Sequence, residues 1–187
     1  MENLEKIALD IRKSIFATVC VNKAGHLASS LSSIEILVVL YFGNILQYDA
    51  KRPDWDGRDR FIMSKGHAAL ALYYVLAKAG YYDKQDVSTF CRAGTIYGGL
   101  ATYGKIPGIE MTSGSLGHGL SFAAGIAMAA RKIQNSVYHT YVMVGDGELQ
   151  EGEIWEAALF ISHNNLTNLT IIVDNNKIQA TGYSENI

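Results

Sequence analysis

Two strongly apolar segments, Tyr141 to Val144 and Leu169 to Val173 with Thr170 its one polar residue, flank a stretch of helical spacing from Glu151 to Ser162. A strand with almost no polar position has little face to offer water, so it is expected to be covered on both sides. A helix between two such strands commits the chain to an α/β fold, a parallel sheet with helices on both faces. The run Arg60 to Ser64 reads as a third, short buried strand. Lys65-Gly66-His67 then turns the chain directly into a helix from Ala68 to Ala79.

Upstream, Leu4, Ile7, Ala8, Ile11, Ile15 and Val19 recur at helical spacing and predict a helix over about residues 4–21. Cys20 lies in that apolar run and is expected in the core. A glycine-containing loop, Asn22 to His26, follows. Ser32 or Ser33 is a candidate cap for a second helix whose apolar run ends near Leu46. Lys51 to Asp59, with Pro53 and Gly57, and the glycine-rich stretch Ala93 to Gly108 read as loops. Ser115 to Ile133 is an Ala/Gly-rich helix, and its small residues predict close packing against another helix, within the chain or across an interface. After Val173 only a turn-like stretch remains. A doubly wound domain normally adds further strands, so the sheet is expected to be incomplete at its C-terminal end.

A net charge of −2 and the lack of any Lys/Arg block argue against nucleic acid or an acidic membrane as partner. The two cysteines, Cys20 and Cys91, have neither metal-ligand spacing nor the density of a disulfide framework. The N-terminus mixes acids and bases, unlike an export signal. The longest uncharged apolar run, Ile36 to Tyr48, is too short to span a bilayer. These features predict a soluble, cytoplasmic protein.

The chemistry is expected where the strand Tyr141 to Val144 runs into Gly145-Asp146-Gly147, because open parallel sheets bind ligands at the C-terminal ends of their strands. Residues 148–174 hold one helix and one strand before Asn175-Asn176. The two strand ends then lie side by side, and Asp146 and an Asn face one crevice. One carboxylate, one amide oxygen and one backbone carbonyl leave room for diphosphate oxygens in an octahedral Mg²⁺ shell. Gly-Asp-Gly alone is a common turn; the paired Asn-Asn after a second apolar strand gives it meaning.

Four segments in order make the pattern specific: Ala24-Gly25-His26-Leu27-Ala28-Ser29-Ser30, Met63-Ser64-Lys65-Gly66-His67-Ala68, residues 107–121 from Pro107 to Ser121, and Gly145-Asp146-Gly147-Glu148-Leu149-Gln150-Glu151-Gly152. In them the chain resembles transketolase over nearly its whole length, specifically the shorter N-terminal subunit of split transketolases. The resemblance implies that residues 1–187 form a thiamine diphosphate-binding domain. It implies metal ligation (Mg²⁺, or Ca²⁺ or Mn²⁺) by Asp146, Asn176 and the carbonyl of Ile178. Gly147 would give its N–H to the diphosphate. Glu151 would link two active sites across a dimer. The turn Gly66-His67 would touch the diphosphate, with His67 near the reacting centre. Gly114, Ser115 and Leu116 would cradle the cofactor, and His26 would bind the sugar's oxygens. His118 stands at a matched position with no role assigned, while His139 and His163 match nothing and read as structural or exposed.

The implied activity is transfer of a two-carbon ketol unit from a ketose or ketose phosphate to an aldose, with His26 and His67 as catalytic residues. A glutamate that activates the cofactor belongs to a second, pyrimidine-binding domain in this family. A separate C-terminal subunit carrying that domain is therefore the expected partner, in a dimer or heterotetramer. The alternatives are another thiamine diphosphate enzyme, such as a 1-deoxyxylulose-phosphate synthase or a 2-oxo-acid dehydrogenase E1 chain, or a non-catalytic cofactor-binding or regulatory subunit. One position departs from the family: Gly99-Leu100-Ala101 stands where most transketolases carry Gly-His-Pro. An apolar Leu100 predicts weak activity on the usual xylulose and ribose phosphates, unless Tyr97 or Tyr103 replaces the missing donor.

Overall fold

The structure, a computed structural model, describes residues 3–132, 138–180 and 182–184. Three strands, β1 (Arg60–Met63), β2 (Thr140–Gly145) and β3 (Leu169–Asp174), form a parallel sheet in the order β1-β2-β3. The register pairs Met63 with Met143 and Gly145 with Asp174, so the C-terminal ends of the strands line up along one edge.

Side chains alternate across these strands. Phe61, Met63 and Met143 enter the larger core, while Ile62, Val142 and Val144 enter a second one on the opposite face. The larger core is built by α1 (Leu4–Asn22), α2 (Leu27–Ser32), α3 (Ile34–Phe42) and α4 (Ala69–Lys78). Every residue of α4 from Ala69 to Leu76 is buried, which explains its lack of any polar face. The second core is closed by α6 (His118–Lys132) and α7 (Gly152–His163). A short helix α5 (Lys84–Val87) and a hairpin of β4 (Ile178–Gln179) and β5 (Gly182–Tyr183) complete the described elements.

Coverage of both sheet faces holds for β1 and β2. On β3, α6 and α7 pack against Leu169 but leave Ile171 and Val173 exposed. The small-residue stripe of α6 is consumed inside the chain: Ala123 and Ala127 are fully buried, Ala123 against Val142, Val144, Ile154 and Ala157, and Ala127 beside Leu166. That stripe therefore carries no argument for an interface. The apolar groups left exposed nearby are Phe122, Trp155, Leu159 and Phe160.

Helix α1 forms as its periodicity predicts. Asn3 caps it by accepting the Glu5 N–H at 2.8 Å, and Lys23 ends it in a left-handed conformation, φ 51°. A cap of this kind contributes about 1 kcal/mol. Cys20 is exposed, contrary to expectation. The buried stripe runs through Ile7, Ile11, Ile15 and Thr18, and a residue two positions past Thr18 lies about 200° round the helix from it. The second predicted helix is two: α2 precedes the expected start, and Ser33 caps α3 by position but sends its hydroxyl to the Ser29 carbonyl at 2.9 Å. Helix α3 stops at Phe42 before Gly43, short of Leu46. Helix α6 begins at His118, three residues later than predicted, because Ser115 to Gly117 stay in the preceding loop; Ile133 lies outside the described residues.

Candidate functional site

Each strand of the sheet ends in a turn carrying a candidate residue. Past β1, residues 66–68 form a single 3-10 turn that leads straight into α4. This brings His67 beside His26, their rings edge-on with centroids 5.5 Å apart. His26 is exposed and sits at the N-terminal boundary of α2. His67 is half-buried. Its pKa is lowered first by burial, then by the Lys65 and His26 charges, against a smaller upward pull from Asp174. Burial and these charges favour the neutral imidazole, the form that can accept a proton.

Past β2, Asp146 starts a 3-10 turn, Gly147–Gln150, and its backbone N–H reaches the Asp174 carbonyl at the end of β3, 3.2 Å. The Asp146 Oδ2 accepts from the Lys177 N–H at 3.0 Å and from the Ser184 hydroxyl at 2.6 Å. Past β3, the Asn176 Oδ1 accepts the Ile178 N–H at 2.9 Å, a turn that fixes the segment carrying the Ile178 carbonyl. Asp146 thus bonds the turn on which Asn176 and Ile178 flank Lys177. Among the described residues no group of three His, Cys, Asp or Glu is placed to hold a metal. The oxygen set of Asp146, Asn176 and Ile178 has the composition that a hard divalent cation takes together with oxygens of a ligand.

Gly147 lies against the Gln179 side chain, 2.9 Å from where a Cβ would be, so a larger residue here would have to displace that side chain. Gly66 backs onto Ser113, whose hydroxyl is buried without a hydrogen-bond partner. A glycine-lined cradle and an orphaned hydroxyl next to the Gly114 loop fit a phosphorylated ligand lying there. Gly114, Ser115 and Leu116 are exposed in that loop. Leu116 gives its carbonyl to His118 Nδ1, which also faces Glu153 at 3.0 Å. Glu151 is exposed, with its side chain packed beside Gly117. His139 is held by Thr170 and Asp59, and His163 is exposed, as expected of residues outside the site.

Leu100 is 45% exposed and its Cδ1 lies 3.0 Å from where a Cβ on Gly114 would stand, so the apolar residue does line the candidate site. Tyr97 does not replace the missing histidine. It is buried in the larger core against Tyr73 and Tyr82. Tyr103 is 64% exposed, on the loop that joins Thr112.

The two clusters are tied by Lys65, Asp174 and Ser32, none of them a site residue expected from the sequence. Lys65 and Asp174 form a buried ion pair, and the Ser32 hydroxyl donates to Asp174 at 2.7 Å. Lys65 also reaches Ser32 Oγ and the Ser29 carbonyl, both at 3.3 Å, and Asn176 Nδ2 reaches Ser32 Oγ at 3.4 Å. Lys65 and the serines lie within or beside the matched motifs, but only the fold reveals that they meet.

Residues 5–187 match the family described as transketolase, thiamine diphosphate binding domain. An apulose-4-phosphate transketolase subunit of Phocaeicola vulgatus is 41% identical over 187 residues, which is 100% of this chain and 66% of that protein. A 6-deoxy-6-sulfo-D-fructose transketolase subunit of Clostridium sp. is 39% identical, over 99% of this chain and 66% of its own length. The chain thus spans just under two thirds of these relatives. The transketolase of Leishmania mexicana superposes on 100% of this chain and 29% of its own, with 32% identity and a TM-score of 0.92.

Proposed function

Because this chain belongs to the transketolase family through its thiamine diphosphate-binding domain, we propose that it is the diphosphate- and metal-binding half of a ketol-transferring enzyme, residues 1–187 acting as one domain. The observation that supports this most is the meeting of two sets of groups at the C-terminal ends of three parallel strands. One is the oxygen set of Asp146, Asn176 and Ile178; the other is the His26–His67 pair. The first set suits Mg²⁺ (or Mn²⁺ or Ca²⁺) holding a diphosphate, with the Gly147 N–H and the Gly66 and Gly114–Leu116 loops around it. Thiamine diphosphate bound there supplies the carbon chemistry that breaks and remakes a C–C bond. The protein's share is binding and proton transfer. His67, kept neutral, accepts a proton from a sugar hydroxyl and returns it, while His26, exposed beside it, orients the sugar's oxygens.

The other half of the site is assigned to a separate polypeptide carrying the pyrimidine-binding domain, in line with relatives named as transketolase subunits. Glu151 and the exposed Trp155, Leu159 and Phe160 suit association with a second copy or with that polypeptide. The assembly is placed in the cytoplasm; among the described residues no helix is long and apolar enough to cross a membrane. Leu100 and the sugars for which the two relatives are named favour a modified ketose or ketose phosphate over the common pentose phosphates. The test is to reconstitute the chain with the partner, Mg²⁺ and thiamine diphosphate, and to follow two-carbon transfer across a donor panel. Cofactor-dependent transfer from at least one ketose is expected, and a complex that binds the cofactor yet transfers from none contradicts the proposal.

A further inference from the structure

Glu148 belongs to none of the proposed ligand sets, yet it bonds a residue next to three of the segments that carry them. It is 2% exposed. Its Oε1 accepts the Gly117 N–H at 2.8 Å and the Ser64 hydroxyl, and its Oε2 accepts the Gly145 N–H at 3.0 Å. Ser64 immediately precedes Lys65-Gly66-His67. Gly117 immediately follows Gly114-Ser115-Leu116. Gly145 immediately precedes Asp146-Gly147. One carboxylate thus grips all three turns that carry the candidate cofactor-binding groups on β1, β2 and the α6 entry.

A carboxylate taken out of water is tolerated only where its charge is met by donors. Here three neutral donors meet it, and charge-assisted bonds in a low-dielectric interior are short and strong. The 3-10 turn that holds Glu148 is closed by the Glu151 N–H on the Glu148 carbonyl, 3.0 Å, so the side chain has a fixed base. Gly119, at the start of α6, packs directly on Ser64, and any larger residue would drive the two loops apart. The three bonds tie together segments that are far apart in the sequence and that each run directly into candidate cofactor-binding groups.

We propose that Glu148 is a positioning residue that sets the mutual spacing of the three cofactor loops, so that the diphosphate and its metal meet a preformed site. The inference rests on the functional reading above. Its test uses the complex with the pyrimidine-domain partner, titrated calorimetrically with thiamine diphosphate at saturating Mg²⁺, alongside hydrogen exchange at the Gly117 and Gly145 amides. In Glu148→Gln one oxygen becomes an NH₂ that faces an N–H donor whichever way the amide turns. Cofactor affinity is expected to fall about tenfold or more, with faster exchange at both amides. Ser64→Ala removes one donor of three; the melting temperature should fall by a few degrees, and in the still-folded complex a few-fold loss of cofactor affinity is expected. Folded Glu148→Gln that binds cofactor like wild type overturns the inference while leaving the function intact. If Glu148→Gln does not fold, Ser64→Ala decides: unchanged cofactor affinity overturns the proposal. A wild-type complex that binds no thiamine diphosphate overturns the functional reading and this inference together.

Discussion

Replacing Lys65 by methionine removes the cation from a pair whose side chains are 2% and 6% exposed, and leaves the Asp174 carboxylate buried without it. Breaking one side of a buried ion pair costs about 3–5 kcal/mol, mostly from the stranded charge. The Ser32 hydroxyl still donates to Asp174 at 2.7 Å, and methionine refills the space of the lysine stem, so the low end, about 3 kcal/mol, is expected. For a chain of this size the melting temperature should fall by about 6–12 °C. Urea unfolding followed by circular dichroism measures the loss, and Lys65→Met/Asp174→Leu supplies the control. Once both charges are gone the desolvation cost goes too, so the double variant should recover most of the stability. A loss below about 1 kcal/mol in the single variant, or a double variant no better than the single, would refute the reasoning.

Two other outcomes follow from the site. An NMR titration of His67 should give a pKa below the ordinary 6.5, because burial and the Lys65 charge disfavour the imidazolium. The sign for stability follows: the unfolded chain binds this proton more tightly, so His67 costs stability as pH falls below its unfolded pKa, and His67→Gln should narrow the acid-side loss; a pKa at or above 6.5 contradicts this. Leu100→His should raise two-carbon transfer from xylulose 5-phosphate, by roughly tenfold if a buried sugar hydroxyl regains a partner. Ordinary rates in the natural chain, with no gain from histidine, would dispose of Leu100 as a specificity residue.

Much of this was legible in the sequence because the strongest signals are local. Apolar strands joined by a helix point to a parallel sheet, and on β1 and β2 Phe61/Ile62 and Val142/Met143 do point into opposite cores, whereas β3 leaves Ile171 and Val173 exposed. The ends of β2 and β3 fall side by side because one helix and one strand fill the gap between them, which brings Asp146 against the turn after β3. Groups that act by meeting across the fold were not legible. Lys65 and Asp174 are 109 positions apart, and Ser64 and Glu148 are 84 apart, and no periodicity encodes such a pairing. Cys20 is exposed despite its apolar neighbours because its place on α1 lies off the buried stripe. The hairpin of β4 and β5 escaped because each strand is too short for alternation to register.

The most direct test of the central claim is a calorimetric titration of thiamine diphosphate into the reconstituted complex, with and without Mg²⁺, for wild type and for Asp146→Ala. Asp146 supplies the one carboxylate of the proposed metal set. Saturable binding that requires Mg²⁺ and is abolished in Asp146→Ala is the expected result. Equal affinity with and without the metal, or in the variant and the wild type, would contradict the account.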